Sequence, residues 1–162
     1  MLTANLRKKL LHQRGFTLIE LLVVIGILAV LLAITLIAIN PAKQFAQAND
    51  TKRRSDVNAI LNAIDQYAAD NAGQLPNGIV TTTQNIGTGA GKSDLCSQLS
   101  TKYLANLPAD PTTGSPTKGE IASPCPVTYD TGYQVVKSAT DNRVTVSATS
   151  EVNPATPISV TR

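Results

Sequence analysis

The feature that most constrains this chain is a nearly unbroken apolar run from Phe16 to Ile39, FTLIELLVVIGILAVLLAITLIAI. Only Thr17, Glu20, Gly26 and Thr35 interrupt it. As a helix, about 24 residues at 1.5 Å each reach roughly 36 Å, enough to cross a hydrocarbon core of about 30 Å with some tilt. The run is apolar on every face, unlike the one-sided core helix of a small soluble domain. An ordinary secretory signal would be shorter, about 7–15 apolar residues, and would end at a small-x-small site. Ala33-Ile34-Thr35 is a poor version of that site, set inside apolar sequence. The run therefore predicts a membrane-spanning helix.

Charge narrows function more than it fixes orientation. Arg7, Lys8, Lys9 and Arg14 precede the run with no acid among them. Taking those four charges from the net +3 leaves −1 for everything after Gly15. A body that close to neutral is a poor electrostatic trap for DNA, so no nucleic-acid partner is expected. The one histidine, His12, also precedes the run, so no His-based triad, acid/base pair or His metal site can follow it. Two cysteines alone cannot close a structural zinc site. Lys43, Lys52, Arg53 and Arg54 follow the run closely, which brings the positive-inside rule near a tie. Glu20 stands out, because a carboxylate at mid-bilayer costs about 2.5–3.5 kcal/mol or more. It is either a functional group or a residue near one end that reaches the headgroups.

The stretch Arg14-Gly15-Phe16-Thr17-Leu18-Ile19-Glu20-Leu21-Leu22 resembles the class III signal of type IV pilins and type II secretion pseudopilins. In that pattern a short basic leader ends in Gly, then come Phe, Glu four residues on, and a long apolar helix. The resemblance implies cleavage between Gly15 and Phe16 by a prepilin peptidase and N-methylation of the new Phe16 amine. It implies a cytoplasmic leader and an exported head. It also implies a role for Glu20 in assembly, as partner to a Phe16 ammonium.

Asn40-Pro41 closes the span. Proline lacks an N–H and clashes with the carbonyl four residues back, so it either kinks a continuous helix or opens a new one; a kink at Pro41 is the expectation. From Ala42 to about Ala72 there is no Gly or Pro. Val57, Ile60, Leu61, Ile64, Tyr67 and Ala68 line one helical face, and Asn71-Ala72-Gly73 with Pro76 signals the stop. A single helix over 16–72 would be roughly 85 Å long. Lys52-Arg53-Arg54 reads either as a contact to headgroups or a neighbouring subunit, or as a solvated face balanced by Asp50 and Asp56.

After Gly73 the composition changes: eight of the nine prolines and 15 threonines lie in the last 89 residues. Residues 81–91 read as an irregular loop and 94–103 as a short helix. Segments 133–137 and 143–149 alternate β-formers around Thr140-Asp141-Asn142, which predicts a hairpin, and 158–161 reads as a short strand or a loose tail. The fold class expected is α+β, the long N-terminal helix packed on a small antiparallel sheet. Candidate core residues are Ile79, Val80, Leu95, Leu99, Leu104, Leu107, Val135, Val144 and Val146. The expected organisation is a leader over 1–15, a membrane and assembly helix over 16–40, an amphipathic helix over 41–73 and a head over 74–162.

The resemblance continues in Tyr103-Leu104-Ala105-Asn106-Leu107-Pro108-Ala109-Asp110-Pro111, which looks like the YLxxLPxDP segment of the major pseudopilin of type II secretion. Beyond Pro111 the sequence departs: the usual aromatic is missing, and 112–127 looks like an insertion carrying Cys125. Major pseudopilins, which the chain resembles, build a calcium site in their C-terminal loops. Asp110, Asp130 and Asp141 are the oxygen ligands available for one, or else simple turn residues. No cofactor is expected, with calcium the alternative. Cys96 and Cys125 both fall in the exported head, where an oxidising compartment makes a pair read as a disulfide; two reduced thiols are the alternative.

These readings converge on a structural subunit of a type IV pilus or type II secretion pseudopilus, not an enzyme. Self-association through the N-terminal helix, a prepilin peptidase, an assembly ATPase, a platform membrane protein and membrane lipid are the partners implied. A minor or competence pilin that binds DNA or a surface ligand is the alternative. A membrane-anchored enzyme is disfavoured by the missing histidine and nucleophile motifs.

Overall fold

The structure, a computed structural model, describes residues 15–162. It divides into two compact units, the residues up to Pro41 and Ala42–Arg162. The first contains helix α1, Leu18–Ile39, in which no residue is buried. Its length and composition suit a membrane span.

The helix does not run on through Pro41. Asn40 adopts the left-handed conformation, φ +45°, which ends α1. Asparagine tolerates that region better than most residues. Pro41 then takes the first position of α2, Pro41–Asp70, where its missing N–H is no loss and its φ is already helical. The expected kink is thus a break, made one residue earlier. Two helices of 22 and 30 residues replace the single long one. At the far end of α2, Ala72 and Gly73 have positive φ and the Gly73 N–H reaches back to the Ala68 carbonyl at 2.8 Å, the geometry of a Schellman stop.

In the second unit α2 packs on a five-stranded sheet. The strands are β1 (Gln84–Gly87), β2 (Lys92–Ser93), β5 (Asp130–Lys137), β6 (Val144–Ala148) and β7 (Ile158–Thr161). Their order is β2-β1-β5-β6-β7, antiparallel except for the β1–β2 pair. A separate ribbon pairs β3 (Leu107–Pro108) with β4 (Glu120–Ile121). The short helix α3 is only Cys96–Leu99. The hairpin register falls as the alternation predicts, with Lys137 opposite Val144 and Val135 opposite Val146. Thr131, Tyr133 and Val135 point inward from β5, and Val144, Val146 and Ala148 from β6.

Val57, Ile60, Leu61, Ala63 and Ile64 of α2 meet this inner face and are fully or almost fully buried. Tyr67 packs at the margin of the same cluster, edge-on to Tyr103. Of the expected core, Ile79, Leu95, Leu99, Leu107, Val135, Val144 and Val146 are buried and Leu104 is partly so. Val80 is exposed; its backbone carbonyl accepts from the Lys137 N–H, and its side chain lies outside the core. The stretch expected as loop holds β1, which lies inside the sheet, between β2 and β5.

Candidate functional site

Two groups of residues carry chemistry, one in each unit. The first is the start of α1. Thr17 is the N-cap, and its hydroxyl accepts from the Glu20 N–H at 3.3 Å. The Glu20 carboxylate in turn accepts from the Thr17 N–H at 2.8 Å and the Thr17 hydroxyl at 2.7 Å. This capping box was legible as T-x-x-E before an apolar run. It holds the one acidic group of the helix at its first turn, where the helix dipole favours negative charge. Gly15 and Phe16 precede it, both exposed. The remainder of the expected leader, 1–14, lies outside the described residues.

The second group is a buried ionic cluster in the head. Asp50, Arg53 and Asp56 sit at three-residue intervals on α2 and continue the stripe of Val57 and Ile60 toward its N-terminal half. Arg53 is 3% exposed. Its Nε and Nη2 form a fork on Asp110 at 2.6 and 3.2 Å. Nη1 donates to Asp50 at 2.8 Å and Glu151 at 3.1 Å, and Nη2 also to the Thr112 hydroxyl at 2.9 Å. Arg53 is therefore not part of a solvated face, as the sequence had suggested. A charge at a core-facing position is readable only when its partners are known, and beyond Asp50 these are distant in sequence. Next to it, Asp56 is bonded by the buried Tyr133 hydroxyl at 2.7 Å and by Lys52 at 2.8 Å.

Hydrogen bonds decide the charge state here. Burial pushes the Asp50 carboxyl up, yet donors from Glu151 N–H, the Ser150 hydroxyl, Arg53 and Val152 N–H outweigh it and hold the pKa at about 2. Burial acts the same way on Asp110, but Arg53, Thr112 and Thr113 hold it well below the usual carboxylate range. Asp110 raises the Arg53 pKa most, against burial, with help from Asp50 and Glu151. Burial and the nearby Asp56 push the Tyr133 hydroxyl up. Gly132, at φ +77°, makes room: a Cβ there would lie 2.5 Å from the Thr113 hydroxyl and 2.9 Å from the Asp110 Cβ.

A calcium ion requires six to eight oxygen ligands with lone pairs to give. Asp110 has few to spare: one oxygen takes four donors and the other takes Arg53 Nε. Asp130 is bound to Lys92 at 2.6 Å and to the Gly132 N–H at 2.9 Å. Asp141 accepts from the Arg143 N–H in the exposed hairpin turn. The three aspartates are not gathered, and among the described residues no group of three or more His, Cys, Asp or Glu is placed to hold a metal. The donor set does not fit calcium.

Cys96 and Cys125 are joined as a disulfide with Cα atoms 5.9 Å apart, closing a 29-residue separation. Cys96 is fully buried beside Leu95 and Leu99. The bond ties α3 to the 112–127 segment, which the β3–β4 ribbon and the Ser115–Asp130 bridge also anchor. In the chain-entropy account its loss costs about 3–4 kcal/mol. The native protein should be about two daltons lighter than its reduced form. Cys125→Ser should speed proteolysis within 112–127 more than within α2, which has its own packed face. Labelling of both thiols without denaturant would show that the bond does not form.

A fully exposed apolar helix with one acid at its start, ahead of an α2-on-sheet head, defines a membrane-anchored subunit of the pilin type. The comparisons agree with that class. The family described as "Prokaryotic N-terminal methylation motif" matches residues 10–36. The chain is 34% identical over 104 residues to the Type II secretion system core protein G of Aeromonas hydrophila, covering 62% of this chain and 68% of that one. No solved structure matches the chain. The chain belongs to the type IV pilin and type II secretion pseudopilin family, whose members are structural proteins.

Proposed function

We propose that this protein is a structural subunit of a type II secretion pseudopilus. The observation that carries the reading is the extent of likeness to core protein G. An alignment of 104 residues is longer than all the sequence up to the end of α2, so it reaches into the head. A prepilin peptidase cleaves after Gly15, where the missing side chain leaves its cleft unobstructed, and Phe16 becomes the methylated N-terminus. The leader faces the cytoplasm and the head is exported. Processed subunits leave the membrane and pack through α1 into a helical filament, driven by an assembly ATPase and a platform protein.

Deletion of the gene should abolish export of folded secreted proteins while leaving any surface pili intact. Loss of pili with unimpaired secretion would assign the subunit to a pilus instead. Gly15→Val should accumulate precursor carrying residues 1–15. A native N-terminus near Ala38 would mean ordinary signal-peptide cleavage and overturn the orientation.

A further inference from the structure

We infer that Arg53 is the resident cation of the head, holding together the loops that a divalent metal would otherwise organise, so that this head folds without calcium. The inference stands apart from the filament reading, since it concerns only how the head is held.

Three carboxylates from three parts of the chain converge on one guanidinium: Asp50 from α2, Asp110 after β3 and Glu151 after β6. Arg53 and Asp110 are both buried, and Asp50 nearly so, which removes solvent competition for the charge. A guanidinium cannot lose its proton in this setting and offers five directed donors; the fork on Asp110 uses two. Backbone N–H groups of the loops take further lone pairs of the two aspartates. Thr112 and Thr113 N–H groups close on Asp110, and Glu151 and Val152 N–H groups close on Asp50. Each loop is thereby wrapped around a carboxylate that Arg53 neutralises. A calcium ion would need those same oxygens and would bring a second positive centre against the guanidinium. No buried polar side-chain atom in the cluster is left without a partner for a metal to satisfy.

The test uses the processed full-length chain in detergent micelles, compared in a calcium chelator and in about 5 mM CaCl2, above the range in which extracellular calcium modules bind. Wild-type thermal midpoints should coincide within about 2 °C, because only a ligand that binds the folded state raises them. A larger rise in calcium overturns the inference. In chelator, Arg53→Met should lower the midpoint by about 10 °C or more and open 150–153 to proteolysis. Arg54→Met, one residue on and exposed, should leave both unchanged. An Arg53→Met protein that melts with wild type overturns the inference. If that variant is not recovered folded, Arg53→Lys decides: it keeps the charge and loses the fork, so a midpoint equal to wild type overturns the inference and a lowered one supports it.

Discussion

A strain whose only copy carries Glu20→Leu should insert and process the subunit normally yet yield at least about a hundredfold fewer filaments in the sheared fraction. Insertion survives because the span becomes more apolar. The helix keeps its Thr17 cap, since that hydroxyl accepts from the backbone N–H of residue 20; only the bonds accepted by the Glu20 carboxylate are lost. Processing survives because Gly15 and Phe16 are untouched. Assembly fails for a different reason. Glu20 lies in the first turn of α1, just past Phe16 and the extended Thr17, so in the proposed filament a neighbour staggered along the axis would bring its Phe16 ammonium to this carboxylate. With leucine there, that ammonium would enter a water-free core unpaired, at about 3–5 kcal/mol per subunit, which is a factor of about a hundred to several thousand in each addition. Glu20→Gln separates charge from cap, because an amide oxygen still accepts from Thr17 but carries no charge. Normal filament yield from Glu20→Leu would leave Glu20 with the capping role alone.

Asp110→Asn should destabilise the head by about 3 kcal/mol at neutral pH and flatten its response to acid. Breaking a buried ion pair costs about 3–5 kcal/mol, and the lower end applies because Asp50 and Glu151 still face Arg53. The sign of the acid response follows from the depressed carboxyl groups. Asp50 at about 2 and Asp110 lower still bind fewer protons folded than unfolded between about pH 4 and 2. Their stabilisation is complete above about pH 5 and is lost as the pH falls through that window. Asp50 alone contributes about 2 kcal/mol by this route. Urea midpoints measured from pH 7 down to about 2.5 should fall less steeply in Asp110→Asn than in wild type. Parallel profiles would remove Asp110 from the acid-sensitive group.

What the sequence disclosed follows the range of the interactions involved. The apolar run, the α2 stripe and the β5–β6 register depend on neighbours within a few residues, and periodicity exposes them. Asn40 was not foreseen as the break because a left-handed asparagine and a proline kink leave the same dipeptide in the sequence. β1 hides in Gln-Asn-Ile-Gly, four residues with one strong β-former, and holds its place through pairing with β5. The burial of Arg53 is hidden because a lysine and an arginine flank it and, apart from Asp50, its carboxylate partners lie 57 and 98 residues away. The Thr17–Glu20 box is legible in the sequence as T-x-x-E ahead of an apolar run.

The spacing of the ionic cluster along the chain also sets when the head can finish folding. Asp50, Arg53 and Asp56 come first along the chain, Asp110 follows, and Ser150 to Val152 come about a hundred residues after Asp50. Contacts of such long sequence separation form late, because the intervening chain must close before they stabilise anything. The guanidinium of Arg53 therefore stays hydrated on an unfinished helix face until the segment 150–152 arrives. Removal of the segment 150–152 would then unmake the packing of α2 itself, about a hundred residues away in the chain.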